Sequence, residues 1–163
     1  MRMKLLVGAL LALCLLAPVA RTEETRTSDE KSDVDLVICL DTSGSMDGLI
    51  DSARQKLWDI VNEMLNAKPL PNLRVALLTY GDSAGSVVVQ TDLTVDLDSF
   101  YQKLMALHTD GGEEYVGLAL HTALTKLTWS PKKDAFRLCF IAGNESADQN
   151  VQNFDYRKIC KDA

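Results

Sequence analysis

Apolar residues fall along this chain in two alternating spacings. Val34–Leu40, Leu73–Tyr80 and Phe136–Ala142 are short, nearly continuous apolar runs, each followed by a polar loop. Runs of that length and continuity suit strands covered on both faces. Between them the apolar positions recur at helical spacing. Residues 47–67 align Ile50, Ala53, Leu57, Ile60, Val61, Met64 and Leu65, residues 97–107 align Leu97, Phe100, Leu104 and Leu107, and residues 115–127 align Val116, Leu120, Ala123, Leu124 and Leu127. Each is a helix with one buried stripe, and Pro69 and Pro71 stop the first. The β-branched Ser86–Thr91 follows a turn over 81–85 and reads as a strand joined by a hairpin to the one before it. A last helix is expected within 152–163. Strands alternating with helices predict an α/β fold, a doubly wound and mostly parallel sheet with helices on both faces.

The first 32 residues do not fit that pattern. Arg2 and Lys4 precede an unbroken apolar run, residues 5–17, the form of a signal peptide over 1–20 and too short to span a bilayer comfortably. The chain is therefore expected to be exported: secreted, periplasmic or at the cell surface. An uncleaved signal is the sole membrane contact this implies. Residues 21–32 hold no apolar side chain and read as a polar linker, leaving 33–163 as one domain.

Composition narrows the function. Of 163 residues, 47% are hydrophobic and 25% charged, which excludes disordered and fibrous classes. The net charge of −6, with no basic run, gives no footprint for nucleic acid. Cys39 and Cys139 sit in apolar runs and read as small core residues. With Cys160 they make an odd number outside the signal, so one thiol has no partner among them. His108 and His121 stand apart from any cysteine cluster, which argues against zinc.

In a doubly wound sheet, ligands bind beyond the carboxyl ends of the strands, here loops 41–46, 109–115 and 143–146. Asp41, Ser43 and Ser45 alternate along one short segment around Gly44. A carboxylate and two hydroxyls form a hard oxygen set suited to Mg²⁺, Ca²⁺ or Mn²⁺. The same residues also suit a turn at Asp41 and helix caps at Ser43 and Ser45. Nucleotide-loop, dinucleotide and nucleophile-elbow motifs are absent from the sequence, and no His accompanies a nucleophile at a readable spacing. The chain is expected not to be an enzyme. Asn144-Glu145-Ser146 is formally a glycosylation sequon.

Asp41-Thr42-Ser43-Gly44-Ser45-Met46, directly after the first strand and before an amphipathic helix, resembles the metal-ion-dependent adhesion site of von Willebrand factor type A domains, whose signature is Asp-x-Ser-x-Ser. LRVALLTYGD, Asp110-Gly111-Gly112 and FRLCFIAG fall where that family has its second strand, the loop before its third helix and its fourth strand, so the resemblance covers about 33–160. It implies a module that binds a protein or other macromolecule through a divalent cation. Two departures bear on this. The family's Thr position falls at Glu113 or Glu114, with Glu114 the fourth candidate ligand beside Asp41, Ser43 and Ser45. The family's Asp position falls at Gly143, followed by Asn144 and Glu145. A Glu114 carboxylate would fill or neutralise the coordination position meant for a partner's carboxylate, so cation binding is expected to survive better than carboxylate capture. The alternatives are a scaffold module that holds metal weakly or not at all, and Glu113 and Glu114 as first-turn helix acids favoured by the macrodipole. The family's sheet has six strands and a closing helix, so the domain is expected to be incomplete at its C-terminus, with its fourth strand an open edge and Cys160 bereft of a partner.

Overall fold

The structure, a computed structural model, describes residues 31–148 and 154–163. The expected signal at 1–20 and most of the linker at 21–32 lie outside the described residues. The elements are β1 (Asp33–Asp41), a 3-10 turn (Gly44–Met46), α1 (Ile50–Leu65), β2 (Asn72–Tyr80), β3 (Val87–Thr94), α2 (Leu97–Met105), α3 (Val116–Lys126), β4 (Phe136–Ala142) and α4 (Tyr156–Asp162). The sheet order is β3-β2-β1-β4. β1 runs parallel to both β2 and β4, and β3 pairs antiparallel with β2. Two boundaries differ from expectation. The first helix starts at Ile50 and not at 47, because the chain first makes the 3-10 turn and then passes through Gly48 at φ +80°. β3 runs on to Thr94, three residues past its β-branched stretch.

The strict alternation of β1 builds two cores. Leu36, Ile38 and Leu40 pack with Leu57 and Val61 of α1 and Phe100 and Leu104 of α2. Val37 and Cys39 face the other way, onto Val116, Ala119, Leu120 and Ala123 of α3. Helices therefore cover both faces, and a strand sandwiched between them has no polar face to show, which is why β1 reads as continuous in sequence. Cys39 is buried and Cys139 half-buried, their sulfurs 4.0 Å apart on the α3 side, and Cys160 is exposed; all three are free thiols. Among the described residues β4 pairs only with β1, and Phe136 and Phe140 stay exposed. Among the described residues no helix is long and apolar enough to cross a membrane.

β1, β2 and β4 are mutually parallel, so their carboxyl ends meet at one edge, where Asp41, Tyr80 and Gly143 come together. The opposite end of β1 is tied by charge. Asp35, fully buried, accepts from Nε and Nη2 of Arg74 on β2 at 2.8 and 2.7 Å, and from the Ser130 amide at 2.7 Å. That carboxylate joins two strands to the loop entering β4, with every bond charge-assisted. Removing the arginine would leave the charge buried and uncompensated, a loss of about 3–5 kcal/mol. Arg74→Ala is thus expected to lower unfolding free energy in urea by about 3 kcal/mol or more. A change below about 1 kcal/mol would mean that water replaces the guanidinium.

Candidate metal centre

Buried strands deliver the floor of this site and polar loops its rim. Asp41 ends β1 with 1% of its surface exposed. Its Oδ1 accepts from the Ser43 amide at 2.8 Å, a turn of the Asx kind that folds the loop back over the strand end. Oδ2 is buried and has no hydrogen-bond partner. A buried polar atom without a partner is rare enough to require a reason. Burial pushes the Asp41 carboxyl above its ordinary pKa; Ser43 pulls against this, and the charges of Glu114 and Glu145 add to the rise. Beside it the Tyr80 hydroxyl, also raised by burial and then by Asp41, donates to the Ala142 carbonyl at 3.4 Å.

The three other residues singled out from the sequence gather at the same point. Ser43 Oγ lies 2.9 Å from Ser45 Oγ, and Ser45 Oγ lies 3.5 Å from Glu114 Oε1. Neither serine caps a helix: the 3-10 turn has Ser43 at its N-cap with no side-chain bond, and Leu49 precedes α1. The capping alternative is therefore corrected, while its Asp41 turn is present. The macrodipole alternative for the two glutamates fails as well, because α3 begins at Val116 and has no acid in its first turn. Glu114 is buried beside Ser45, whereas Glu113 is exposed and accepts from the Tyr115 hydroxyl. What brings Glu114 inward is the loop before it. A Cβ at Gly112 would lie 1.7 Å from the Asp82 carbonyl oxygen, so only glycine lets the chain pass. The Asp110 amide then anchors on the Thr42 carbonyl at 2.7 Å.

The β4 loop departs from expectation. Gly143 has no room for an acidic side chain, since a Cβ there would sit 2.6 Å from Tyr80 Oη and 3.0 Å from Asp41 Oδ2. The side chain that enters the site is Asn144. Its Oδ1 accepts from Ser45 Oγ at 2.9 Å and its Nδ2 donates to the Ser45 carbonyl at 3.0 Å. In the sequence Asn144 stands out only as the first residue of the Asn144-Glu145-Ser146 sequon, with no sign of a contact to Ser45. The available signal was its place directly after the last residue too confined to carry a side chain, and that confinement comes from Tyr80, 63 positions earlier.

The candidate donors are two carboxylates and two hydroxyls, with the Asn144 amide oxygen bonded to one of the hydroxyls. Among the described residues no group of three His, Cys, Asp or Glu side chains is placed to hold a metal, so a cation here would rest on hydroxyl oxygens as much as on carboxylates. That chemistry fits a hard dication, and the unpartnered Asp41 oxygen fits the same occupant.

The family model described as "von Willebrand factor type A domain" matches residues 36–144, more than half of the chain. Among solved structures, the vWF domain of the type V pili tip protein Mfa5 from Porphyromonas gingivalis is 26% identical at TM-score 0.54, covering 66% of this chain and 37% of that one. The SpRpn10 VWA domain is 18% identical at TM-score 0.59, covering 73% of this chain and 63% of that one. Proximal thread matrix protein 1 from the mussel byssus, solved with a zinc-occupied MIDAS motif, is 14% identical at TM-score 0.50, covering 71% of this chain and 29% of that one. The chain thus spans less than two thirds of these neighbours. No curated protein sequence matches it.

A carboxyl whose pKa rises on folding is destabilised in its charged form, by an amount fully present above the folded pKa and lost as the pH falls through it. The cation-free protein should therefore gain stability on mild acidification through Asp41. Asp41→Asn keeps the acceptor for the Ser43 amide and removes the charge. It is expected to raise the melting temperature of the chelator-treated protein at pH 7, by the equivalent of about 1 kcal/mol, and to flatten the acid response. An unchanged or lower melting temperature would show that Asp41 is not held at a cost.

Proposed function

Because the chain belongs to the von Willebrand factor type A domain family, we propose that it is an exported, non-catalytic binding module that engages a protein or other macromolecule through a divalent cation held by Asp41, Ser43, Ser45 and Glu114. The observation that carries this reading is the buried Asp41 oxygen left without a partner beside a second buried carboxylate. Neither has a cationic side chain among the partners described above, and two like charges taken out of water call for an opposite charge. A bound dication would supply that charge and an electrophilic point of contact for a partner's oxygen. The protein's part is to fix the oxygens: Asp41 by its turn, the two serines by their mutual hydrogen bond, and Glu114 by the loop through Gly112. Export is supported by the signal-like pattern at 1–20, and a surface setting by the likeness to a pilus tip domain.

Glu114 sets the kind of partner contact. As a second protein carboxylate it reduces the positive charge a bound cation presents, so a neutral or basic partner surface suits the site better than an acidic one. The scaffold alternative gives the same fold with capture of the partner indifferent to metal.

Calorimetric titration with Mg²⁺, Ca²⁺ and Mn²⁺ tests the cation. Asp41→Ala is expected to weaken affinity more than Ser43→Ala or Ser45→Ala, because formal charge dominates binding of hard cations. Equal or absent effects across the three would leave only a structural loop. Glu114→Thr is expected to weaken cation affinity yet, at saturating metal, to increase capture of an acidic peptide. If capture instead stays flat while metal binding is lost, Glu114 is an indispensable ligand. Partner capture that is the same with and without chelator would establish the scaffold reading.

A further inference from the structure

We infer that Asn144 is a positioning residue of the cation site, holding the Ser45 hydroxyl in place with a neutral oxygen so that Asp41 and Glu114 alone carry the charge. This rests on the cation reading above.

The argument begins with the amide itself. A carbonyl oxygen can only accept a hydrogen bond, so the end of Asn144 that faces the Ser45 carbonyl at 3.0 Å must be Nδ2. Oδ1 is thereby fixed on the Ser45 hydroxyl at 2.9 Å. One side chain thus grips one residue at two points across 99 positions of sequence, which orients the hydroxyl and ties the Asp41–Ser45 loop to the end of β4. Ser45 has a single hydroxyl proton and three oxygens within reach, those of Ser43, Glu114 and Asn144. With that proton given to Asn144, its lone pairs stay available for a cation.

The second line is charge. An aspartate at 144 could accept from the Ser45 hydroxyl but would set an anion against the Ser45 carbonyl. Asparagine is therefore the residue that makes both bonds, and it adds no charge. The third line is space. Gly143 stands against Asp41 Oδ2 and Tyr80 Oη and admits no side chain, so the loop's contribution must come from the next residue. Asp41 itself, nearly fully buried and with an oxygen left unpartnered, points to a ligand independently of the loop hydrogen bonds.

The test is calorimetry of the full chain with Ca²⁺ and Mg²⁺, alongside melting curves in chelator. Asn144 is exposed, so Asn144→Ala is expected to leave the cation-free melt close to wild type, as surface substitutions do. Its cation affinity is expected to fall about tenfold to a hundredfold, the usual cost of losing a residue that orients a ligand. Glu114→Gln is expected to weaken binding by removing a charge. Wild-type affinity in Asn144→Ala, with Asp41→Ala inactive, would overturn the role of Asn144 and leave the cation site standing. A wild-type chain that binds neither cation would overturn both readings together.

Discussion

Two aspartates on one strand, both buried, meet opposite fates. β1 lies between β2 and β4 and is covered on both faces, so any carboxylate it carries at an end is taken out of water. Asp35 receives three hydrogen bonds, two of them from a guanidinium. Asp41 receives a single amide bond on one oxygen and none on the other. The same desolvation cost is answered at one end of the strand and left open at the other. The molecule is organised around that difference: the end with Asp35 holds the sheet together, and the end with Asp41 has an unmet demand for positive charge.

The rest of the site follows from where the loops must go. Parallel strands put the ends of β1, β2 and β4 side by side, so three segments distant in sequence share one small volume. Gly112 and Gly143 are placed where a neighbouring backbone or side chain leaves no space for a Cβ, and their absence of bulk lets Glu114 and Asn144 close in on Ser45. Both loops have traded residue types relative to the family pattern, an acid where a neutral Thr is usual and an amide after the position of an acid. The sum is still two carboxylates among neutral oxygens. Charge dominates affinity for a hard cation, so on the proposed cation reading the exchange bears more on what a partner could add than on cation binding.

Free thiols and an open strand form the other side of the chemistry. Cys39 and Cys139 lie side by side in the α3 layer as small apolar fillers, and the exposed Phe136 and Phe140 mark β4 as the uncovered border of the described sheet. Arg137 spends its charge on the carbonyls of Ser130 and Lys132 at 2.7 and 2.6 Å. It therefore braces the loop entering β4 and does little to guard the edge against pairing.

The sequence by itself determined the sheet and its helices, because the continuous run at 34–40 and the helical stripes at 50–65, 97–105 and 116–126 are direct consequences of which faces are buried. It also singled out Asp41, Ser43 and Ser45 as residues able to converge, since alternation along five residues is a local property. Glu114 was legible only through the likeness to a family, because nothing local distinguishes it from Glu113. What separates them is that one side chain turns inward and the other reaches Tyr115. Asn144 and the confinement of Gly143 were decided by tertiary structure alone. Their roles depend on Tyr80, Asp41 and Ser45, which lie on other strands and loops, and no spacing along the chain encodes a clash or a hydrogen bond across 99 residues. The start of α1 at Ile50 was likewise set by the 3-10 turn at Gly44–Met46, which leaves no trace in hydrophobic periodicity.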